Sequence, residues 1–487
     1  MGEARGSLLA RLEAHPAGAI AIAGAPGEPP VRYGALAEVA PLGVAPGSTV
    51  AFLVEPGAAY VRTLVAIWRA GALAVPLSPL HPRAELEHAI AVAAPRALLA
   101  SRSLAARLAE AAPGRPIAPV EELAGGARFG GGGPGSPTPE SDALMLFTSG
   151  TTGRPKGVRL AHHALAATDE ALHGAWRWRS DDRLLHVLPL HHTHGVVVAL
   201  LGALWAGAEV RFAAFRAPEV WEAFVDVTVL MAVPTMYAKL LEAYRGAPAD
   251  TRARWAAAAR ALRLVTSGSA ALAAALLDEF REATGQTILE RYGMTEIGMA
   301  LSNPYDGPRV PGAVGRELPG VTIDIVDESG APVAPGHAGE LRVRTPQMFT
   351  GYHDDPAATA ASFDAEGRFR TGDTGTRDAD GVIRLLGRTS VDIIKSGGYK
   401  LSALEIEAVL LEHPGVAEVA VVGLPDPTWG ERVTACVVPR PAATLTLEVL
   451  QAFARDRLAA YKLPRELRLV DALPRNPMGK VQKQLLR

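Results

Sequence analysis

A chain of 487 residues exceeds what one hydrophobic core ordinarily serves, so two or more domains are expected. Apolar residues make up 48% of it, and 49 Lys and Arg nearly balance 51 Asp and Glu, a mixture that favours neither nucleic acid nor an anionic membrane as a partner. A single cysteine, Cys436, excludes an intramolecular disulfide and any cysteine-rich metal site.

Residues 1–20 lack the charged-then-apolar run of a signal peptide, and the longest apolar stretches, such as 196–206, are too short to span a membrane. A cytoplasmic enzyme is therefore expected, without membrane insertion and without an evident obligatory protein partner. Strand-like 50–54, helix-like 58–70 and strand-like 72–76 open a repeating pattern. Residues 125–141 are rich in glycine and proline and read as a connector before the apolar run 143–147. The pattern continues with 184–188, 196–207 and 208–212, then 227–233 with 234–244, then 262–266 with 270–284. Strands alternating with helices predict a mostly parallel sheet covered by helices. From about residue 320, runs such as 321–326, 340–344 and 381–386 alternate polar and apolar residues, as half-exposed antiparallel strands do. The last hundred residues predict a helix over 403–412, strands near 416–422 and 432–438, a helix over 446–459 and a strand over 466–470. The fold class is thus α/β: a large N-terminal domain of mostly parallel sheets (residues 1–388), carrying a smaller antiparallel part, and a small mobile α+β C-terminal domain (residues 389–487).

Directly behind the run 143–147 comes a loop dense in hydroxyls and glycines: Thr148, Ser149, Gly150, Thr151, Thr152 and Gly153, followed by Lys156. Glycines let backbone N–H groups turn toward an anion, hydroxyls add donors, and the lysine adds charge, so the loop is a candidate polyphosphate cradle. It is not the Walker pattern, because no Gly-Lys-Ser/Thr follows at the required spacing. Other candidate sites fall beyond strand ends, where such architectures bind ligands. In Glu290-Arg-Tyr-Gly-Met-Thr-Glu296, Tyr292 offers a flat face, Thr295 a hydroxyl, and Glu296 a hard oxygen suited to Mg²⁺; an exposed loop would explain the segment nearly as well. Ser267-Gly-Ser-Ala-Ala271, with Ser269 and Ala270, could receive an adenine edge. His191, His192 and His194 lie within four residues, yet neither a nearby carboxylate nor an H-x-x-x-H helix supports zinc there. Asp373 and Arg388 suit ribose hydroxyls and phosphate, and Lys480 follows a glycine turn near the chain end, where a lysine is ordinarily solvated.

Taken together, residues 147–158, 188–195, 291–296, 369–373, 388–399 and 474–480 resemble, in order and spacing, the motifs of the acyl-adenylate-forming enzymes, a family of acyl-CoA synthetases, luciferases and peptide-synthetase adenylation domains. Within it the chain looks closest to the malonyl-CoA synthetases. The resemblance covers nearly the whole chain and implies two steps: a carboxylate attacks the α-phosphorus of ATP to give acyl-AMP and pyrophosphate, and coenzyme A then displaces AMP. It further implies that the loop 148–157 holds the β- and γ-phosphates, that Glu296 holds Mg²⁺ with Thr295 on phosphate, and that Tyr292 stacks on adenine near Ser269 and Ala270. Asp373 and Arg388 would fix the ribose, Lys480 would bridge the carboxylate and α-phosphate, and His192 would line the acyl site. The small domain would rotate between half-reactions and bring the face with Lys395, Gly397 and Gly398 toward coenzyme A. The hinge departs from the family's usual Asp or Lys and falls on Ser390, Val391 or Asp392.

A diacid brings a second charge that cannot be buried unpaired. Arg291 resembles the arginine with which malonyl-CoA synthetases meet it, and His194 is a further candidate contact for the distal carboxylate or coenzyme A. Lys239 is a weaker candidate, since it falls outside the apolar stripe of its own helix. Ser402 and Glu405 form a capping-box pattern, so helix initiation is the expected role there. The expected activity is malonate–CoA ligation, with methylmalonate or another short diacid as a close variant. The alternatives are a monocarboxylate–CoA ligase and a non-catalytic nucleotide-binding protein on the same scaffold.

Overall fold

The computed structural model describes residues 7–24, 28–125, 135, 137–148, 155–397, 399–475 and 481–487. They divide into two compact units. The first comprises residues 1–311, 315–322 and 344–367; the second comprises 312–314, 323–343 and 368–487.

Two large sheets organise the first unit. One runs, strand beside strand, from Arg316–Glu317 through Gly298–Ser302, Leu289–Met294, Leu264–Ser267, Val229–Ala232, Arg183–His186, Glu209–Phe212 and Ile20–Ile22 to Val31–Arg32. Its centre is parallel: Val229–Ala232 pairs in parallel with both Leu264–Ser267 and Arg183–His186. The second sheet runs from Gly351–Tyr352 through Lys156–Ala161, Asp142–Thr148, Leu73–Pro76, Thr49–Leu53 and Ala97–Ala100 to Ile117–Pro119. Helices cover both faces of such sheets, which is why Leu73–Pro76 and Val229–Ala232 are buried at every position rather than alternately. Around Trp221, a core of Trp255, Phe280, Tyr237 and Leu240 seats the helices beside Val229–Ala232 and Leu264–Ser267.

In the second unit, Thr322–Val326, Gly339–Arg344, Phe369–Arg377 and Ile383–Arg388 form the expected antiparallel sheet, and Thr322–Val326 shows its alternating burial. A further sheet pairs Gly430–Pro439 with Val416–Asp426, Ile393–Ser396 and Glu466–Leu469, packed against the helix Ala403–Leu411. Ser402 caps that helix, its Oγ accepting from the Glu405 N–H at 3.2 Å, but the Glu405 carboxylate is held by Lys462 Nζ at 2.6 Å. Only the serine half of the anticipated capping box is therefore evident.

Two helices are shorter than the periodicity suggests. The segment expected to be helical from 270 begins at Ala274, because Ser269 turns the chain with φ +70°. The helix anticipated to reach 459 stops at Ala454, where Arg455, Asp456 and Arg457 are exposed and offer no apolar face to hold a further turn. Among the described residues, no helix is long and apolar enough to cross a membrane.

Candidate active site

The segment Glu290–Glu296 is not an exposed loop but a strand that runs into the turn carrying Thr295 and Glu296. Leu289–Met294 is a strand, parallel to Leu264–Ser267 on one side, and Gly298–Ser302 folds back antiparallel on the other, with Arg291 opposite Ser302 and Tyr292 opposite Leu301. Burial between two strands explains why Arg291 is only 4% exposed. Thr266 pairs with Leu289, so by alternation Thr266, Gly268 and Arg291 share one face. The Arg291 guanidinium lies directly against Gly268, whose neighbours Ser269 and Ala270 are exposed. Burial lowers its pKa to about 10, which still leaves it charged at neutral pH. Neither Nε nor Nη2 has a hydrogen-bond partner, and no carboxylate pairs with it among the described residues.

His194 completes this corner. It opens the π-helical stretch His194–Leu201, a backbone form that often marks functional sites. Gly195 makes the entry possible, because a Cβ there would run into the Pro189 carbonyl. His194 is fully buried, and its imidazole is held well below the ordinary histidine pKa, first by burial and then by the charge of Arg291. Its Nε2 is unpartnered and its Nδ1 lies 3.5 Å from Ser269 Oγ. Thr266 Oγ1 is also buried without a partner. Buried polar groups are ordinarily satisfied, so this gathering of unmet donors and acceptors is the signature of a site built for a polar guest.

A second gathering surrounds Lys156 and Glu296. Thr148 and Lys156 are cross-strand partners, so the candidate cradle connects two antiparallel strands. Its residues Ser149, Gly150, Thr151, Thr152 and Gly153 lie outside the described residues. Lys156 Nζ stands 3.4 Å from Asp355 Oδ2 and 4.9 Å from the ring centre of Tyr352. Tyr352 in turn donates its hydroxyl to Glu296 Oε1 at 3.0 Å, and Thr193 and Thr295 share a hydrogen bond of 2.8 Å. The sequence did not point to Tyr352 or Asp355. They come into range because the short strand Gly351–Tyr352 pairs with Lys156–Ala161, almost two hundred residues earlier, and no local spacing announces such a pairing. Tyr292 is buried in its hairpin, while Lys239 is exposed on the helix Pro234–Gly246.

In the second unit, Asp373 and Arg388 face each other across paired strands, with Arg388 Nε 3.1 Å from Asp373 Oδ1. Asp392 accepts from the Arg388 N–H at 3.0 Å and pairs with Lys483 at 2.6 Å; Lys483 also pairs with Glu407 at 2.7 Å, whose carboxyl burial pushes above its usual range. Arg487 donates to the carbonyls of Ser390 and Val391. Lys395 is exposed and pairs with Glu328 at 3.0 Å, and Gly397 donates to the Trp429 carbonyl at 2.9 Å. Gly398 and Lys480 lie outside the described residues.

The histidines carry a pH consequence. Burial depresses His186 and His192 to about 4 and His191 to about 2. Unfolded histidine takes up a proton near 6.5, whereas these refuse it until about 4 or below, so between those values the unfolded chain binds more protons and acid favours unfolding. Each group then contributes a slope of up to about 1.4 kcal/mol per pH unit. The denaturation midpoint is expected to fall between pH 6.5 and pH 4.5, and His186→Gln to flatten that fall by about one proton's worth; urea titrations at the two values check it.

The chain belongs to the AMP-binding enzyme family, whose model matches residues 35–353 while that of the AMP-binding enzyme C-terminal domain matches 405–480, and with it to the AMP-forming acid–CoA ligases. It is similar to the mitochondrial malonate–CoA ligase of Mus musculus, 45% identical, across 90% of this chain and 81% of that protein. Among solved structures, ATP-bound MatB from Rhodopseudomonas palustris is 36% identical with a TM-score of 0.85, across 100% of this chain and 98% of that one. A malonyl-CoA ligase in a ternary product complex with methylmalonyl-CoA and AMP is 40% identical with a TM-score of 0.69, across 96% and 99%.

Proposed function

We propose that this chain ligates malonate to coenzyme A at the expense of ATP, through an acyl-AMP intermediate, releasing AMP and pyrophosphate. The observation that carries the diacid is Arg291: a charged guanidinium, buried, with two donor atoms unmet and, among the described residues, no acidic side chain paired with it. A carboxylate arriving there satisfies both at once. The relatives named malonate–CoA ligase support the same assignment. A monocarboxylate would leave the guanidinium as it is, and a merely nucleotide-binding scaffold would have no use for it.

The first half-reaction brings two anions together, so its barrier is chiefly electrostatic and positional. In this reading the hairpin 148–157 holds the β- and γ-phosphates, with Lys156 adding charge and Tyr352 and Asp355 orienting it. Thr295, fixed by Thr193, donates to phosphate. Asp373 and Arg388 take the ribose, Tyr292 with Ser269 and Ala270 the adenine, and His192 lines the acyl site. His194, neutral and unmet at Nε2, joins Arg291 on the distal carboxylate; exposed Lys239 has the weakest claim. Lys395, Gly397 and Gly398 meet coenzyme A when residues 389–487 turn about Ser390–Asp392.

Glu296 offers a hard carboxylate oxygen, and no group of three metal-ligating side chains occurs among the described residues. That donor set fits Mg²⁺, which takes one or two carboxylates and fills its shell with phosphate and water. When bound, the ion screens the charge of the polyphosphate. Tyr352 orients the Glu296 carboxylate, so Tyr352→Phe is expected to weaken pyrophosphate release by about fivefold, the value of one hydrogen bond of about 1 kcal/mol, with the loss largest at limiting Mg²⁺. A Mg²⁺ titration of the initial rate measures it.

For location, the cytoplasmic expectation stands beside relatives named mitochondrial; fractionation of cells producing the full-length protein decides between them. The function itself is tested by pyrophosphate release over short mono- and diacids with ATP, Mg²⁺ and coenzyme A. Malonate should lead, methylmalonate should follow within the roughly 10- to 200-fold range that one methyl group governs, and acetate and butyrate should trail. Release with acetate as fast as with malonate would remove the diacid assignment, and no release with any acid would remove the enzyme.

A further inference from the structure

We infer that Gly268 is a positioning residue for diacid recognition: its missing side chain is the seat in which the Arg291 guanidinium lies. This rests on the malonate reading above and extends it to the glycine before Ser269 and Ala270, which itself was given no contact with ATP. A Cβ built on Gly268 would stand 2.5 Å from Arg291 Cζ and 2.8 Å from its Nε, separations that real side chains do not adopt. The nearest backbone is not what it meets; all three of its closest neighbours are guanidinium atoms. The strand would therefore hold while the side chain yields.

Where the guanidinium sits matters because its surroundings are fixed. Arg291 is confined between two strands, and Ser269, with φ +70°, turns the chain outward immediately after Gly268. The result is an exposed Ser269–Ala270 rim beside buried Gly268 and its buried cation, with Thr266 Oγ1 and His194 Nε2 unmet nearby. Moving the fork by even an ångström forfeits the two-point contact with a carboxylate, since charge-assisted bonds depend on that planar geometry.

The test is a double-mutant cycle read with malonate and with acetate. Gly268→Ala is expected to raise the KM for malonate by about 10-fold or more, with kcat and the KM for ATP changing far less. In an Arg291→Ala background the same substitution should alter malonate use less than about twofold, because the group it displaces is gone. Independent, multiplying effects, or equal losses with malonate and acetate, would overturn the proposal. If Arg291→Ala itself spares the preference for malonate, the diacid reading has failed; if it abolishes the preference while Gly268→Ala acts independently of it, only the present inference has. Should Gly268→Ala alone prove unstable, the pair Arg291→Lys and Arg291→Lys/Gly268→Ala supplies the same comparison. A lysine has no planar fork in that seat, so coupling should be lost, and its persistence would count against the seat.

Discussion

Arg291→Ala is expected to raise the KM for malonate by about 10- to 100-fold while changing that for acetate or butyrate by less than about threefold, because a charge-assisted contact contributes roughly 1.5–3 kcal/mol. A second readout separates a substrate role from a structural one. Removing one partner of a buried ion pair costs roughly 3–5 kcal/mol, since the other charge is stranded. Arg291 strands nothing: no acidic partner accompanies it among the described residues, and burial already disfavours its charge. Alanine should therefore leave the ligand-free protein as stable as before or more so, and thermal unfolding without substrate measures this. A large drop in melting temperature, with malonate and acetate affected alike, would return Arg291 to the scaffold. Tight selectivity for the diacid combined with undiminished stability is what a preformed charge site predicts, because the energy of desolvating the guanidinium is spent in folding and recovered when the guest arrives.

The parts of this architecture that rest on local pattern were readable from the residues. Runs buried on both faces, such as 50–54 and 227–233, announced the parallel sheets, and the alternation over 321–326 announced the half-exposed strand Thr322–Val326. Arg291 stood out through its motif, and among the described residues it has no ion-pair partner, which accords with that reading. What the residues concealed depends on contacts distant along the chain. Polar Glu290 and Arg291 disguised the strand Leu289–Met294 as a loop, because burial there comes from its two neighbouring strands and not from its own apolarity. The hydrogen bond from Tyr352 to Glu296 requires the pairing of Tyr352 with Val158, which no spacing encodes. Gly268 belongs to a segment read only as a contact for adenine, and its closeness to Arg291 depends on the pairing of two strands distant in the chain.

Lys480→Ala is expected to divide the two half-reactions. Pyrophosphate release from ATP and malonate should fall by about 10²- to 10³-fold, the loss typical when one preorganised donor to developing charge is removed. Thioester formation from preformed malonyl-AMP and coenzyme A should change by less than about threefold, because a thiol then attacks the carbonyl of a mixed anhydride and no polyphosphate charge remains to be offset. Lys480 belongs to the segment between Pro474 and Val481, whose flanks are held together by the bridge of Arg475 to Val481 and by the Gln482 N–H donating to the Pro474 carbonyl at 2.8 Å. The substitution thus falls between ends joined by backbone contacts of Pro474, Arg475, Val481 and Gln482. Asp392, tied to Lys483 and through it to Glu407, sits where the proposed turn of residues 389–487 begins. In the proposed reading, Lys480 serves one orientation of that segment and Lys395 the other. Single-turnover measurement of each step decides the matter: equal losses in both would mean that Lys480 serves the fold or both reactions, and the division of labour assigned to the C-terminal residues would fall with it.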